Sequence, residues 1–278
     1  MITAEQRKER QLGIGGSDMP IILGLSTYKT PYQLYLEKVG EVTPNDEQTP
    51  YQYWGSQLEG IVRDEFARRN DVSVETPDTI CHPVHDFLRG NVDGYIPVCN
   101  AVLEVKCSSQ FMAAEWGEPG TDDIPMQYLV QVAFYCMLTG ADCAYIAVLI
   151  GGNDYREYKY TRDLSLEDTL ITAARDFWDC VVNKTPPEAV NQVDLRLMYP
   201  KHDPDKTLTI TNDIQDDIQV LAETKLKIKE FSEAEDRYKF KIMQYMKDAE
   251  YLTDDTGKSL VSWKANKRGS RTFLVKGA

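Results

Sequence analysis

The plainest hydrophobic pattern in the chain is the nearly unbroken apolar run 143–150, which predicts a strand buried on both faces at the centre of a sheet. Residues 155–160 alternate after Gly151-Gly-Asn-Asp154 and predict its antiparallel partner. Ahead of the run, Met126, Leu129, Val130, Ala133, Phe134 and Met137 recur at helical spacing over 125–138. Gln127 and Gln131 share another face of that helix at i, i+4. Segments near 79–84, 88–96 and 101–107 are β-like, with turns at Asp93-Gly94 and Cys99-Asn100. Within the last of them a period of two puts Leu103 and Val105 on one face and Glu104 and Lys106 on the other.

Toward the N-terminus, residues 3–12 predict a short helix. The glycines at 13, 15 and 16 then allow a tight turn, with Ser17 as N-cap of a short apolar helix ended by Gly24. Thr30-Pro31 opens a helix over 32–39, and Gly40 stops it. A polar loop over 41–50 leads to a long helix, 51–70, whose apolar side carries Trp54, Leu58, Ile61, Val62 and Phe66, with Glu59 at its edge. An amphipathic helix over 166–182 stops before Pro186-Pro187. That proline pair divides the chain into a core, 1–187, and an extension, 188–278. The extension holds a charged helix over 214–247, either a lone arm or half of a helical pair, and a basic hairpin over 259–263 and 271–275.

Composition narrows the class. The chain has 278 residues, 42% hydrophobic and 27% charged, as in ordinary soluble domains. No apolar run approaches the ~20 residues of a membrane span, and the start lacks a signal-peptide pattern, so a cytoplasmic setting is expected. Six cysteines without C-x-x-C spacing predict buried reduced thiols rather than a zinc site. The net charge of −13 runs against a nucleic-acid partner, but it is unevenly spread. Between 201 and 255 acids outnumber bases 14 to 9, whereas 256–278 carries six bases and no acid, which is compatible with a local DNA-binding surface.

The candidate chemistry lies at Asp93 and at Glu104-Val-Lys106. Two carboxylates and an ammonium at a strand end suit a hard divalent cation and an attacking water. An isolated Glu-x-Lys is more simply a solvated strand edge with a charge pair. The glycines before Ser17 likewise describe either a turn with a cap or an anion site of free N–H groups.

Other motifs weigh on that choice. Gly13-Ile-Gly-Gly-Ser-Asp18, the stretch 23–40, Gly55-x3-Glu59, Asn91-Val-Asp-Gly94, Leu103-Glu-Val-Lys106 and Ile124-Pro-x5-Gln131 follow one another over about residues 8–180. In these motifs the chain resembles the YqaJ-like viral recombinases, relatives of phage lambda exonuclease within the PD-(D/E)xK nucleases. The resemblance implies an α/β (α+β) fold, with a mixed central sheet flanked by helices and a C-terminal helical and hairpin extension. It further implies Mg²⁺, or Mn²⁺ in its place, held by Asp93, Glu104, the carbonyl of Val105 and Glu59, with Lys106 at the attacking water. A 5′-phosphate pocket would use Arg10, Ser17 and Gln131, and Asn91 where the lambda enzyme has a serine.

The activity so implied is metal-dependent 5′→3′ exonucleolysis of double-stranded DNA ends, giving 3′ overhangs for a phage or prophage single-strand annealing protein. A trimeric ring is implied as well, with its bases in the channel and its acids outside. The alternatives are a structure-specific endonuclease on the same core and a non-catalytic DNA-binding scaffold.

Overall fold

The computed structural model describes residues 11–43, 48–267 and 269–276. The helix expected over 3–12 falls almost wholly outside them, as does Arg10. By internal contacts the chain forms two compact units, Met1–Lys201 and His202–Ala278.

Near the start of its described residues the first unit has a turn and the one-turn helix α1 (Met19–Ile22). Ser17 does not cap it. The N-cap position is Asp18, which makes no capping bond because its carboxylate turns back to accept from Gly15 N (3.0 Å) and Lys38 Nζ (2.7 Å). Helices α2 (Pro31–Lys38) and α3 (Pro50–Asn70) each open on a threonine capping box followed by proline at the first helical position. Short strands β1 (Ile80–Cys81) and β2 (Arg89–Gly90) pair with each other. Strands β3 (Gly94–Ile96) and β4 (Ala101–Ser108) follow, then helix α4 (Met126–Thr139), strands β5 (Cys143–Ile150) and β6 (Asp154–Thr161), and helices α5 (Leu164–Asn183) and α6 (Gln192–Met198).

The main sheet has the order β3-β4-β5-β6 and is mixed: β4 and β5 run parallel, joined through α4, while both outer pairings are antiparallel. β5 is buried almost throughout, as an apolar strand with a neighbour on each side requires. On one face Leu103, Val105 and Ala147 pack with Val62 and Phe66 of α3. Burial of those two α3 side chains contributes roughly 1.5–3 kcal/mol each. On the other face Val102, Ile146 and Tyr158 belong to the larger core with α4 and α5, where Phe134 and Leu170 are fully buried.

Three expectations are corrected. Trp54 and Ile61 lie on the outer side of α3 at 60% and 64% exposure, because only Val62 and Phe66 of that stripe reach the sheet. Cys81, Cys99 and Cys107 are exposed, and Cys136 and Cys143 are buried. Residues 188–201, assigned from sequence to the extension, cluster with the first unit. There the fully buried Asp194 of α6 accepts from Thr30 Oγ1 (2.7 Å) and Val190 N (3.1 Å).

The second unit contains α7 (Asn212–Met246) and a three-stranded antiparallel sheet, β7 (Tyr251–Thr253), β8 (Ser259–Ala265) and β9 (Arg271–Val275). The expected hairpin is therefore extended by a third strand. Arg271 lies 3.6 Å from the Trp263 ring centre and donates to the carbonyls of Lys247, Ala249 and Trp263. No helix among the described residues is long and apolar enough to cross a membrane.

Candidate active site

β3 pairs with β4 only as far as Gly94 opposite Leu103, so the following residues of β4 lose their partner on that edge. Asp93 fills the gap. Its Oδ2 accepts from Val105 N at 2.8 Å, as a strand carbonyl otherwise would. A strand residue sends its N–H and C=O to the same edge, so the Val105 carbonyl points to the side where Asp93 sits. Arg63 of α3 donates to the Asp93 carbonyl at 3.2 Å and fixes the bend from the other side.

The alternation of β4 turns Glu104 and Lys106 toward α4. Lys106 Nζ lies 2.5 Å from Glu104 Oε1 and 3.1 Å from Gln131 Oε1, and Gln131 Nε2 donates to the same Glu104 oxygen at 2.8 Å. The Tyr128 ring centre lies 5.0 Å from Lys106 Nζ and gives the ammonium a cation–π contact. Glu104 is only 2% exposed, and its second oxygen, Oε2, is buried without a hydrogen-bond partner among the described residues.

Burial, and after it the Asp93 carboxylate, pushes the Glu104 carboxyl up to about 8 against the pull of Lys106. Burial likewise raises Asp93 above the ordinary aspartate value, despite Lys106, the Val105 N–H and Arg63. For Lys106 burial works against the ammonium, yet Glu104 and Asp93 together hold it above the usual lysine value. Glu59 is half-buried and raised, first by burial and then by Asp93; its nearest cation is Arg63, 3.9 Å away.

These facts bear on the expected cation. Among the described residues no three His, Cys, Asp or Glu side chains form a ready-made cage. Mg²⁺ does not need one, since it keeps several waters and is held by one or two carboxylates together with substrate phosphates. The buried, unpartnered Oε2 of Glu104, Asp93 beside it and the Val105 carbonyl make a hard oxygen set of that kind. The donor set therefore fits such a cation, with Glu59 farther out on its helix.

Of the expected phosphate-pocket residues, Ser17 and Asn91 are exposed, Gln131 is buried against Glu104, and Arg10 lies outside the described residues. A residue not singled out from sequence, Tyr135, links the first three. A Cβ on Gly16 would stand 2.7 Å from its ring and one on Gly90 3.1 Å, so the two glycines that precede Ser17 and Asn91 both pack on Tyr135. Its hydroxyl accepts from Gln131 Nε2 at 3.3 Å. Tyr135 follows Gln131 by four residues, and that i, i+4 spacing was the available signal. Lys38 adds a second brace, donating to the Gly13 carbonyl (2.6 Å) and to Asp18.

Comparison with known proteins identifies a family and a fold. The family model of the YqaJ-like viral recombinase domain matches residues 5–142. The uncharacterized protein YqaJ of Bacillus subtilis (strain 168) is 36% identical over 251 residues, 87% of this chain and 78% of that protein. Among solved structures, an alkaline exonuclease (LHK-Exo) from Laribacter hongkongensis aligns with a TM-score of 0.54 at 17% identity, covering 66% of this chain and 94% of that one. LHK-Exo in complex with dAMP aligns with the same TM-score and coverage at 16% identity. At these identities the two structures establish a shared fold.

Proposed function

The chain belongs to the YqaJ-like viral recombinase family, and from that premise we propose that it is a metal-dependent exonuclease. It degrades double-stranded DNA 5′→3′ from phosphorylated ends and leaves a 3′ single strand. The observation that carries the reading is Glu104: a buried carboxylate with one oxygen tied to Lys106 and Gln131 and the other unpartnered, beside Asp93.

Asp93, Glu104 and the Val105 carbonyl would hold Mg²⁺, with Glu59 contributing from α3. When bound, the cation supplies a water of lowered pKa and takes up charge on the phosphate. Gln131 and Lys106 keep the Glu104 carboxylate in one orientation. Lys106 Nζ, beside that carboxylate, would also orient the attacking water with an N–H group. Ser17 and Asn91, each next to a glycine packed on Tyr135, together with Arg10, would bind the 5′-phosphate of the end being cut. An unphosphorylated end would then be seated poorly.

The family resemblance supports a phage-type recombination role. The 3′ strand would pass to a single-strand annealing protein, and three copies of the nuclease would close a ring around the duplex. The decisive experiment digests a linear 5′-phosphorylated duplex, the same duplex with 5′-hydroxyl ends, and a covalently closed circle, each with Mg²⁺ and with EDTA. The phosphorylated linear DNA is degraded fastest, the circle survives and EDTA stops the reaction. Comparable loss of the closed circle would make the protein an endonuclease, and persistence of every substrate would leave it a binding scaffold.

A further inference from the structure

Most large apolar side chains of helix α7 are exposed, Ile218, Val220, Leu226 and Phe240 as well as two regular rows. The helix runs for 35 residues, ~50 Å at the helical rise, and only Met246 along it is buried. Ile214, Leu221 and Ile228 recur every seven positions; Phe231, Tyr238 and Tyr245 do the same, starting three positions later. All six are at least half exposed. Two rows of period seven, three positions apart, are the a and d rows of a seam that another helix closes.

The rows occupy different halves of the helix, the first ending at Ile228 and the second beginning at Phe231. An antiparallel partner of the same sequence therefore lays one row on the other. Ile214 meets Tyr245, Leu221 meets Tyr238 and Ile228 meets Phe231, all about one two-fold axis between Lys229 and Glu230.

The order of charged segments favours the same antiparallel orientation. Asp213, Asp216, Asp217 and Glu223 form an acidic block, and Lys225, Lys227 and Lys229 a basic one. Glu230, Glu233, Glu235 and Asp236 form a second acidic block, and Arg237, Lys239, Lys241 and Lys247 close with a basic one. About that axis the segment 212–222 lies level with 237–247 and the segment 224–229 with 230–235, so segments of opposite net charge share a level, with Glu223 opposite Asp236 as the like-charged exception. A parallel pair in register would set every block against its own charge. An acidic start and a basic end also suit the dipole of a lone helix, but the dipole gives no reason for the two middle blocks.

We propose that α7 is a docking surface for a second copy of this chain, paired antiparallel in this register. Two layers between the apolar ones, Asp217 opposite Ile242 and Thr224 opposite Glu235, are polar; they weaken the contact and pin its register. The pairing is two-fold and belongs to α7 alone, so it is separate from any ring built by nuclease units.

The test uses full-length chains and measures mass by sedimentation or light scattering, with circular dichroism to confirm helix content. One variant carries Asp213→Lys, Asp216→Lys and Asp217→Lys; another carries Arg237→Glu, Lys239→Glu and Lys241→Glu; a third carries all six. The wild type is expected at twice the mass of either three-residue variant, with association weakened roughly tenfold or more in each. Mixing those two variants restores the doubled mass, and so does the six-residue swap by itself. Equal mass in all samples overturns the proposal. Recovery by mixing without recovery in the six-residue swap means a parallel pair and overturns it too.

Discussion

Gln131 donates through Nε2 to Glu104 Oε1 at 2.8 Å, the same oxygen that Lys106 holds at 2.5 Å. One oxygen of the carboxylate is thus doubly restrained while the other is buried without a hydrogen-bond partner among the described residues. On the proposed function, that restraint would present the second oxygen to the cation.

Replacement of Gln131 by alanine is therefore expected to slow DNA degradation about 10- to 100-fold, as loss of a group that orients a metal ligand does. The loss should fall on turnover and on the Mg²⁺ concentration needed for half-maximal rate, rather than on affinity for duplex measured in EDTA. Equal Mg²⁺ curves for variant and wild type would remove Gln131 from this role.

Glu104→Gln separates stability from activity. The metal-free protein should melt at a higher temperature than wild type, because a buried, half-paired acid is replaced by a neutral group. Wild type should gain stability on adding Mg²⁺, whereas the variant should gain little and lose its nuclease activity. Thermal melts with and without Mg²⁺ decide the matter, and an undiminished Mg²⁺ shift in the variant would contradict the assignment.

Gly16→Ala places a methyl 2.7 Å from the Tyr135 ring. The cost should be about 1–3 kcal/mol by urea denaturation, the usual range for overpacking a filled core. Adding Tyr135→Leu to that variant should return part of the loss; a mutually additive pair would show that the two residues do not press on one another.

Asp194 tests the boundary after residue 201. Asp194→Ala strands the Thr30 hydroxyl and the Val190 N–H and should destabilise the first unit by about 2–3 kcal/mol. Limited proteolysis should then cut the 184–201 stretch earlier than in wild type. An unchanged digestion pattern would mean that α6 is held by other contacts.

His82 supplies a pH dependence away from the candidate site. Its Nδ1 accepts from Val84 N (3.2 Å) and His85 N (3.1 Å), which requires the neutral ring there. Burial, followed by His85, lowers its pKa below the ordinary value of 6.5. The neutral form is thus favoured in the folded state. Its contribution is fully present above 6.5 and is lost as pH falls through the lower folded value. Denaturation between pH 7.5 and 5 should show a smaller loss of stability for His82→Asn, whose amide oxygen accepts without titrating.

Much of the first unit was legible because its elements obey a single period. The strand Cys143–Ile150, its partner and the helix carrying Gln131 all formed where alternation or helical spacing put them. Failures came where a third group intervened. Ser17 has the right chemistry for a cap, but Lys38 and Gly15 claim the neighbouring Asp18, and the helix starts one residue later. Trp54 and Ile61 fit the apolar stripe of α3, yet a helix lying on a flat sheet buries a narrower arc than its pattern allows. In the site, Glu104 and Lys106 followed from strand parity and the family motif. That Gln131 would bind Glu104 rather than stand apart from it depended on the seating of α4 over β4, a tertiary fact with no local trace.

The early end of β3 has one more consequence. Asp93 Oδ2 takes the Val105 N–H that the next rung of the ladder would have taken. A single additional strand pair would stitch the sheet shut and bury the carboxylate behind backbone. On the proposed function, activity would depend on this unfinished seam, and Asp93→Asn is expected to keep the seam intact while silencing the activity.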